Sequence, residues 1–236
     1  MQGTRVRRAL AGRDLAVGYA VVVLVIAVAI SALPAAHGHQ LVLDSSTNLA
    51  NLRQRPLFVL GLSAFVVATP AGLWVLAPLV VAYGAAQRWV GRLATLVVAV
   101  FGHVGATLFV AVLLATGIAH HQLDRSIAQQ PDVGVSYGVA AVLGVLTARR
   151  PEHRLRWVLA GTLLLVARLA VSDTFTDLGH LTAWTIGVAI GLVVTAAGNA
   201  EDRSPGSVAL PPCAPAGPAA DLPADLPADT AAQRPR

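Results

Sequence analysis

The stretch Asp132-Val-Gly-Val-Ser-Tyr-Gly-Val-Ala-Ala-Val-Leu-Gly144 has a polar start and a long apolar continuation. Within it, Ser136, Ala140 and Gly144 recur at every fourth position. On a helix such residues form a stripe of small side chains, which lets membrane helices approach one another closely. The stretch therefore predicts a membrane-embedded helix that packs tightly against a neighbour.

A second stretch of the same kind reads Asp177-Leu-Gly-His-Leu-Thr-Ala-Trp-Thr-Ile-Gly187. Its small residues have the same spacing, at Gly179, Ala183, Gly187 and Gly191. Each stretch carries one reactive side chain close to its polar start, Ser136 in the first and His180 in the second. If the two helices pack through their stripes, Ser136 and His180 come within hydrogen-bonding reach of each other.

The composition indicates a membrane protein. Apolar residues make up 56% of the 236 residues, charged residues only 12%, and the mean hydropathy is +0.67. A soluble domain carries about 25% charged residues. The net charge of +5 comes from arginines that flank the apolar segments, so we predict contact with the lipid bilayer and no nucleic-acid partner.

Six apolar segments predict membrane spans, of which residues 72–86 are short for one, and together they predict an all-α polytopic helix bundle that resembles no soluble domain in composition. The predicted spans are residues 15–33, 72–86, 93–116, 134–148, 157–172 and 178–198. Residues 1–14 form the N-terminus, 34–56 a polar loop, and 57–69 a short half-inserted segment. Residues 199–236, rich in Pro and Ala, predict a disordered tail. A cleaved signal peptide is the alternative for the first span, but its apolar core is long for one.

Arginine distribution predicts the orientation. On one side of the six spans lie Arg5, Arg7, Arg8, Arg13, Arg88, Arg92, Arg149, Arg150, Arg154 and Arg156, and on the other only Arg53, Arg55 and Arg125. The positive-inside rule then places both termini in the cytoplasm. A composition without lysine but rich in Ala, Val, Gly and Arg is typical of GC-rich bacteria, so we expect a bacterial inner (plasma) membrane protein.

This orientation places Ser136 and His180 at matching depth near the outer face, where a serine and a histidine can act as nucleophile and base. The alternative is that the small residues serve helix packing only and that Ser136 bonds to its own backbone. Asp177 is the one acid near His180, and we place it on a different helical face. A catalytic dyad is therefore predicted rather than a triad.

At these residues the chain resembles the rhomboid family of six-span intramembrane serine proteases. Rhomboids carry Gly-x-Ser-Gly at the start of the fourth helix and a glycine eight residues after the serine, as in Gly134-Val-Ser136 and Gly144. Their base is a histidine early in the sixth helix, followed by a glycine seven residues later, as in His180 and Gly187. The resemblance covers about residues 15–198 and implies a serine endopeptidase that cleaves transmembrane substrates with Ser136 and His180.

The chain departs from the protease pattern at two places. Tyr137 replaces the glycine after the serine, and span 72–86 lacks the histidine and asparagine that help to hold the oxyanion in rhomboid proteases. The segments Ser46-Thr-Asn-Leu49 and Gly102-His-Val-Gly105 resemble a divergent rhomboid-like group of bacterial membrane proteins. A non-catalytic rhomboid-like protein that binds transmembrane helices is therefore the alternative function.

Other polar residues carry weaker hypotheses. We interpret His103 as hydrogen-bonded across a close helix contact, with a proton site or a polar partner of the active centre as the alternative. Arg168 is expected to reach toward Asp173 or Asp177, and a substrate-gating role is the alternative. The outer-loop residues His37, His39, His120 and His121 are the sole motive for a third hypothesis, a small transporter or metal-handling protein. We predict no cofactor and no metal.

Overall fold

A computed structural model describes residues 12–149, 151–172 and 174–202, and these residues are helical apart from short connections. The α-helices are α1 (Asp14–Ser31), α2 (Ala35–Ser45), α3 (Leu49–Gln54), α4 (Pro56–Ser63), α5 (Leu76–Val90), α6 (Arg92–Ala119), α7 (Val135–Ala148), α8 (Arg154–Ser172) and α9 (Phe175–Asp202). Short 3-10 helices occupy Pro70–Val75 and Arg125–Gln129.

Six of these helices form the membrane bundle, which confirms the predicted all-α polytopic fold. In the described part of the chain, five helical segments are long and apolar enough to cross a membrane: α1, Pro70–Val90, α6, α8 and α9. The sixth, α7, is apolar but has only 14 residues. At 1.5 Å per residue it is about 21 Å long, so it crosses only part of a hydrocarbon core of about 30 Å.

Helix α7 lies at the centre of the bundle. It packs most extensively against α9, and also against α6, α5 and α8. Most of its residues are buried, including Tyr137, Ala141 and Val145. In contrast, none of the residues of α8 is buried, so α8 lies at the edge of the bundle.

The glycines of α9 bring its backbone against α7, as the sequence predicts. Their nearest neighbours on α7 are Tyr137 at Gly179, Ala141 at Gly187, and Ala148 with Val145 at Gly191. Gly144 of α7 fits equally closely against α9, because a Cβ atom there would lie 2.5 Å from the Trp184 carbonyl oxygen. The sixth-span stripe is therefore an interhelical contact surface.

The α7 side of this contact differs from the prediction. Gly144 takes part, but Tyr137 and Ala141 occupy the positions that we expected Ser136 and Ala140 to take. A stripe with a strict four-residue repeat turns by about 40° per step, because a helix advances about 100° per residue. The sequence Tyr137, Ala141, Gly144, Ala148 follows the helix axis more closely, so it forms the ridge that meets α9.

The segment before the second span, named the outer segment after its predicted side of the membrane, is also more ordered than the predicted polar loop over 34–56. It contains α2 and α3, and the Asn48 side chain accepts a 2.9 Å hydrogen bond from the Asn51 backbone amide at the start of α3. The Asn51 side chain donates to the Leu43 and Ser46 carbonyl oxygens at the end of α2. These asparagines satisfy helix ends that would otherwise lack partners.

At the other end, α9 continues to Asp202, which is beyond the predicted start of the tail at residue 199. The remaining tail, residues 203–236, and the N-terminal residues 1–11 lie outside the described residues.

Candidate functional site

Ser136 lies in the first turn of α7, which begins at Val135, and its side chain is half-buried. His180 lies in the second turn of α9 and is 20% exposed. The two helices thus bring the two residues to the same end of the bundle, as predicted. Within the described residues, however, no hydrogen bond joins the Ser136 hydroxyl to the His180 imidazole.

The ring beside His180 is that of Tyr137. The two rings pack edge to face with 5.2 Å between their centroids, and Tyr137 is fully buried. Gly179 leaves room for the tyrosine ring, since a Cβ atom at that position would overlap it. The tyrosine therefore fills the space between α7 and α9 at the depth of the histidine.

Asp177 is the second neighbour of His180. Its Oδ1 atom lies 3.8 Å from His180 Nδ1, one helical turn away. The prediction that Asp177 lies on a different helical face was wrong, because residues three apart on a helix are neighbours. The carboxylate is within ion-pair range of the imidazole and able to orient it.

Asp177 is also tied to the end of α8. Arg168 forms an ion pair with its Oδ1 atom at 3.0 Å, and Ser172 and Thr174 donate hydrogen bonds to Oδ2. The expectation that Arg168 reaches Asp177 is confirmed, while the alternative partner, Asp173, lies outside the described residues. With its carboxylate 2% exposed, Asp177 joins α8, α9 and His180 in one polar cluster.

A second buried carboxylate, Asp132, lies just before α7. The Tyr137 hydroxyl donates a 2.7 Å hydrogen bond to Asp132 Oδ1. Thr47, from the first outer segment, donates its backbone amide to the Asp132 carbonyl oxygen at 2.8 Å, and its hydroxyl lies 3.4 Å from Oδ2. Asp132 thus links the outer segment to the start of α7.

Burial sets the ionisation of Asp132. The residue is 4% exposed, and burial raises the pKa of its carboxyl group to about 6, although the hydrogen bonds from Tyr137 and Thr47 act to lower the pKa. Removal of a carboxylate from water favours its neutral form. The linkage between the outer segment and α7 therefore contains a group that titrates near neutral pH.

Comparison with known proteins fits this six-helix geometry. A family model described as rhomboid-like protein matches residues 12–200, which is most of the chain. The chain belongs to the rhomboid-like protein family. No curated protein and no solved structure matches the chain.

In this rhomboid-like protein, α5 is the second span, which carries the oxyanion donors in rhomboid proteases. It contains neither histidine nor asparagine. The α5 side chain that meets the start of α7 is buried Tyr83, whose hydroxyl would lie 2.6 Å from a Cβ atom on Gly138. Gln87 lies near the opposite end of α5 and donates to Asp14 of α1. Helix α5 thus packs against α7 without a histidine or asparagine donor beside Ser136.

His103 of α6 has the structural surroundings that we favoured. It is 5% exposed, and its Nε2 atom lies 2.9 Å from the Leu60 carbonyl oxygen and 3.2 Å from Ser63 Oγ. Since the carbonyl oxygen only accepts, Nε2 is the protonated nitrogen. Its ring also packs against Gly134, so His103 joins α6 to α4 and to the segment before α7.

The outer histidines lie apart from this site along the chain. His37 and His39 are on α2, and His120 and His121 follow α6. Among the residues that the structure describes, no three His, Cys, Asp or Glu side chains are grouped as a metal ion would require.

Sequence reasoning missed two parts of the site. It noted Tyr137 as a departure from the family pattern but did not place its ring against His180. It also predicted no contact for Ser46-Thr-Asn-Leu49, although the polar residues of this run are buried against Asp132. A polar run in an otherwise apolar chain was the signal for this network, but its partner is 85 residues away.

Proposed function

We propose that this rhomboid-like protein is a non-catalytic membrane protein that binds the transmembrane helices of client proteins. The observation that carries this proposal is that the Tyr137 ring lies against His180, with 5.2 Å between the ring centroids. A nucleophile and its base need to approach within about 2.6–3.2 Å. The Tyr137 ring, the Asp177 carboxylate and the Thr176 backbone lie around the imidazole, and these surroundings favour a structural role.

The composition of α5 supports the same conclusion. Acyl transfer needs hydrogen-bond donors aimed at the oxyanion, and loss of one donor costs about 10²–10³ in rate. Helix α5 supplies neither of the two side chains that rhomboid proteases use there. Within the described residues, two protease features are thus absent: a hydrogen bond between Ser136 and His180, and a histidine or asparagine donor on α5.

Helix α8 supports binding to client helices. None of its residues is buried, and Leu155, Leu163 and Leu164 are 70%, 70% and 64% exposed. It meets α9 closely at Gly161, which packs against the Trp184 ring. A membrane helix attached along one side offers the rest of its surface to another helix by van der Waals packing. We infer that this surface contacts clients in a bacterial inner membrane, with both termini cytoplasmic as the arginine bias predicts.

A specific observation favours a second candidate function, the intramembrane serine protease. Asp177 lies 3.8 Å from His180 Nδ1, as an orienting carboxylate would. In this mechanism Ser136 Oγ attacks the carbonyl carbon of the scissile peptide bond while His180 accepts the serine proton. The imidazolium then donates that proton to the leaving amine, and water hydrolyses the acyl-enzyme. This function requires the Ser136 hydroxyl to approach the His180 imidazole, beside which the Tyr137 ring lies.

Active-site labelling separates the two functions. The purified protein is treated in detergent and in vesicles with a fluorophosphonate and with an isocoumarin, beside Ser136→Ala and the matched control Ser126→Ala. We expect equal labelling of all three proteins, because a non-catalytic Ser136 would not be activated by His180. Labelling that is lost only in Ser136→Ala would establish the protease and overturn the non-catalytic proposal.

Client binding is measured separately. The single cysteine, Cys213, is labelled with a fluorophore, and energy transfer to a labelled single-span peptide is followed in lipid nanodiscs. We expect saturable transfer that is weakened in Leu163→Ala/Leu164→Ala. The control Val25→Ala/Val28→Ala, on the lipid-facing side of α1, should bind normally. Transfer that rises linearly with peptide, or is equal in both variants, would contradict binding to α8.

A further inference from the structure

A large cleft lies on the side of the bundle formed by α1, α4 and α6. Its volume is about 770 Å³, and its deeper walls include Tyr83 of α5 and Gly138 of α7. Helix α1 packs mainly on α5, which leaves this space between α1 and α6. Volumes of roughly 300–1,000 Å³ are typical of small-molecule sites. The cleft therefore has the size of a ligand site.

The cleft is long and almost entirely apolar. It follows α6 from Arg92 to Val104, which is about 18 Å at 1.5 Å per residue. One leaflet is about 15 Å deep, half of a hydrocarbon core of about 30 Å. Leu57, Leu96 and Val100 border the cleft and are 86%, 46% and 49% exposed, so the cleft opens toward the lipid. Its dimensions thus match one acyl chain within one leaflet.

The length of the cleft distinguishes a lipid chain from a transmembrane helix. A helix that spans the membrane is about 30 Å long, whereas the cleft follows α6 for only about 18 Å. The occupant is therefore a slender apolar chain of one leaflet.

A pair of opposite charges lies at one end of the cleft. Arg92 forms a 2.9 Å ion pair with Asp14, and their side chains are 70% and 49% exposed. Both residues line the cleft, at the end that the arginine distribution predicts to be cytoplasmic. A guanidinium group matches a phosphate, and a carboxylate matches an ammonium group. The polar end of the cleft thus complements a headgroup that carries both charges.

We propose that this cleft binds a zwitterionic phospholipid of the phosphatidylethanolamine type. One acyl chain lies along α6 between α1 and α4, the phosphate binds Arg92, and the ammonium group binds Asp14. The deep end of the chain reaches His103 and Gly134, so the lipid supports the start of α7 through residues next to the Ser136 turn. The proposal does not depend on whether the protein is a protease.

Two glycines allow the cleft to be filled without disturbing its walls. Gly18 of α1 and Gly61 of α4 line it, and a Cβ atom at either position would have no neighbour within 4 Å. Leucine is also the better helix former. Gly198 of α9 is equally unobstructed but lies outside the cleft, so Gly198→Leu is the matched control.

The full-length protein is reconstituted in vesicles that contain phosphatidylethanolamine with a diazirine on one acyl chain. After illumination, the labelled peptides are mapped by mass spectrometry. We expect labels on α4 and on the Arg92–Val104 part of α6, at a higher yield than on lipid-facing α8. Gly18→Leu/Gly61→Leu should lose these labels by on the order of tenfold, because the leucine side chains occupy the space of the acyl chain, while Gly198→Leu keeps them.

Equal labelling in the filled and control variants, or a yield no higher than on α8, would overturn the proposal. Crosslinks from the cleft to residues 1–11 or to a second copy of the chain would also overturn it, because they assign the cleft to protein. If the double variant fails to fold, Leu96→Trp fills the same cleft from α6 and is scored by the same criterion.

A comparison of two lipids with different headgroups tests the headgroup assignment. The same diazirine chain on a phosphoglycerol headgroup, which lacks the ammonium group, should label the cleft several-fold less. Arg92→Gln should lower the phosphatidylethanolamine label, whereas Arg88→Gln, an exposed arginine at the same end that does not line the cleft, should not. Equal labelling by both lipids would refute the proposed recognition of phosphatidylethanolamine.

Discussion

At the scale of single residues, Tyr137 is the side chain that contacts both His180 and Asp132 in the candidate site. Its ring borders His180 and its hydroxyl bonds to Asp132, so one side chain connects α9 to the segment before α7. Aromatic residues supply large buried areas, and a buried hydroxyl group needs a hydrogen-bond partner. Tyr137 meets both requirements, which favours its role as a structural element between two helices.

Replacement of Tyr137 by phenylalanine tests the hydroxyl alone. Because Asp132 then loses a hydrogen bond while it remains buried, we expect a loss of about 1–3 kcal/mol in the free energy of unfolding. The control is Tyr83→Phe, since Tyr83 lines the cleft and, among the described residues, its hydroxyl forms no hydrogen bond to a carboxylate. The two variants are compared by denaturation in mixed micelles. Equal stability would show that the Tyr137–Asp132 bond contributes little.

The pKa of Asp132 predicts how stability depends on pH. Since the folded-state pKa of about 6 lies above the ordinary aspartate value of 3.8, the folded protein binds more protons between these pH values. The contribution of Asp132 is therefore fully present below about pH 4 and is lost as the pH rises through about 6, on the order of 2–3 kcal/mol in total.

Asp132→Asn measures this contribution. The asparagine variant should lack the decrease in unfolding free energy with rising pH. The difference in unfolding free energy between wild type and variant should therefore change between pH 4 and pH 7. The control is Asp124→Asn. Asp124 is exposed, and the hydrogen bond that it accepts from Ser126 lowers its pKa, so this variant should keep the decrease in unfolding free energy between pH 4 and pH 7. A wild-type to Asp132→Asn difference that is constant with pH would contradict the raised pKa.

At the scale of secondary-structure elements, the contact of α7 with α9 organises the bundle. The glycines of α9 allow backbone contact, and α7 contributes the ridge of Tyr137, Ala141, Gly144 and Ala148. With few polar side chains between these helices, close van der Waals packing is the main source of their association. Small changes in volume at this contact are therefore costly.

Gly144→Ala tests that contact with a single methyl group. The new Cβ atom would lie 2.5 Å from the Trp184 carbonyl oxygen and 2.8 Å from the Val188 amide nitrogen, both backbone atoms that move only with the helix. We expect a loss of about 1–3 kcal/mol from overpacking. Gly198→Ala, on the same pair of helices but with open space around it, should be neutral or slightly stabilising. A stability like that of Gly198→Ala would mean that α7 and α9 separate at little cost.

At the scale of the whole molecule, two surfaces of the bundle stand out. Helix α8 lies at the edge with no buried residue, and a cleft lies between α1, α4 and α6. Arginines gather at one end of the predicted spans, and the Ser136–His180 end is the other. Orientation in the membrane therefore determines from which side the candidate site is reached.

The single cysteine allows that orientation to be measured in the native chain. Cys213 is in the C-terminal tail, which the arginine bias predicts to be cytoplasmic. We expect a membrane-impermeant maleimide to label it in inside-out vesicles and not in intact spheroplasts. Cys213→Ser with Gln129→Cys, in the exposed segment between α6 and α7, should show the opposite pattern. Labelling of Cys213 from outside would reverse the predicted topology.

Composition and residue spacing by themselves determined the class of this protein. The apolar segments predicted six membrane helices, and the glycine repeat after Asp177 predicted the contact surface of α9. The spacing of Ser136, Gly144, His180 and Gly187 indicated the rhomboid-like family. These features are local, because span length and small-residue stripes are properties of one helix at a time.

Only the tertiary structure decided which side chains meet. A shift of one position rotates a helical residue by about 100°, and the tertiary structure places the Tyr137 ring against His180. The Thr47–Asp132 linkage joins residues 85 apart in the chain, and the cleft depends on how α1, α4 and α6 are placed together. Such contacts depend on the packing of separate elements, and one-dimensional patterns do not specify that packing.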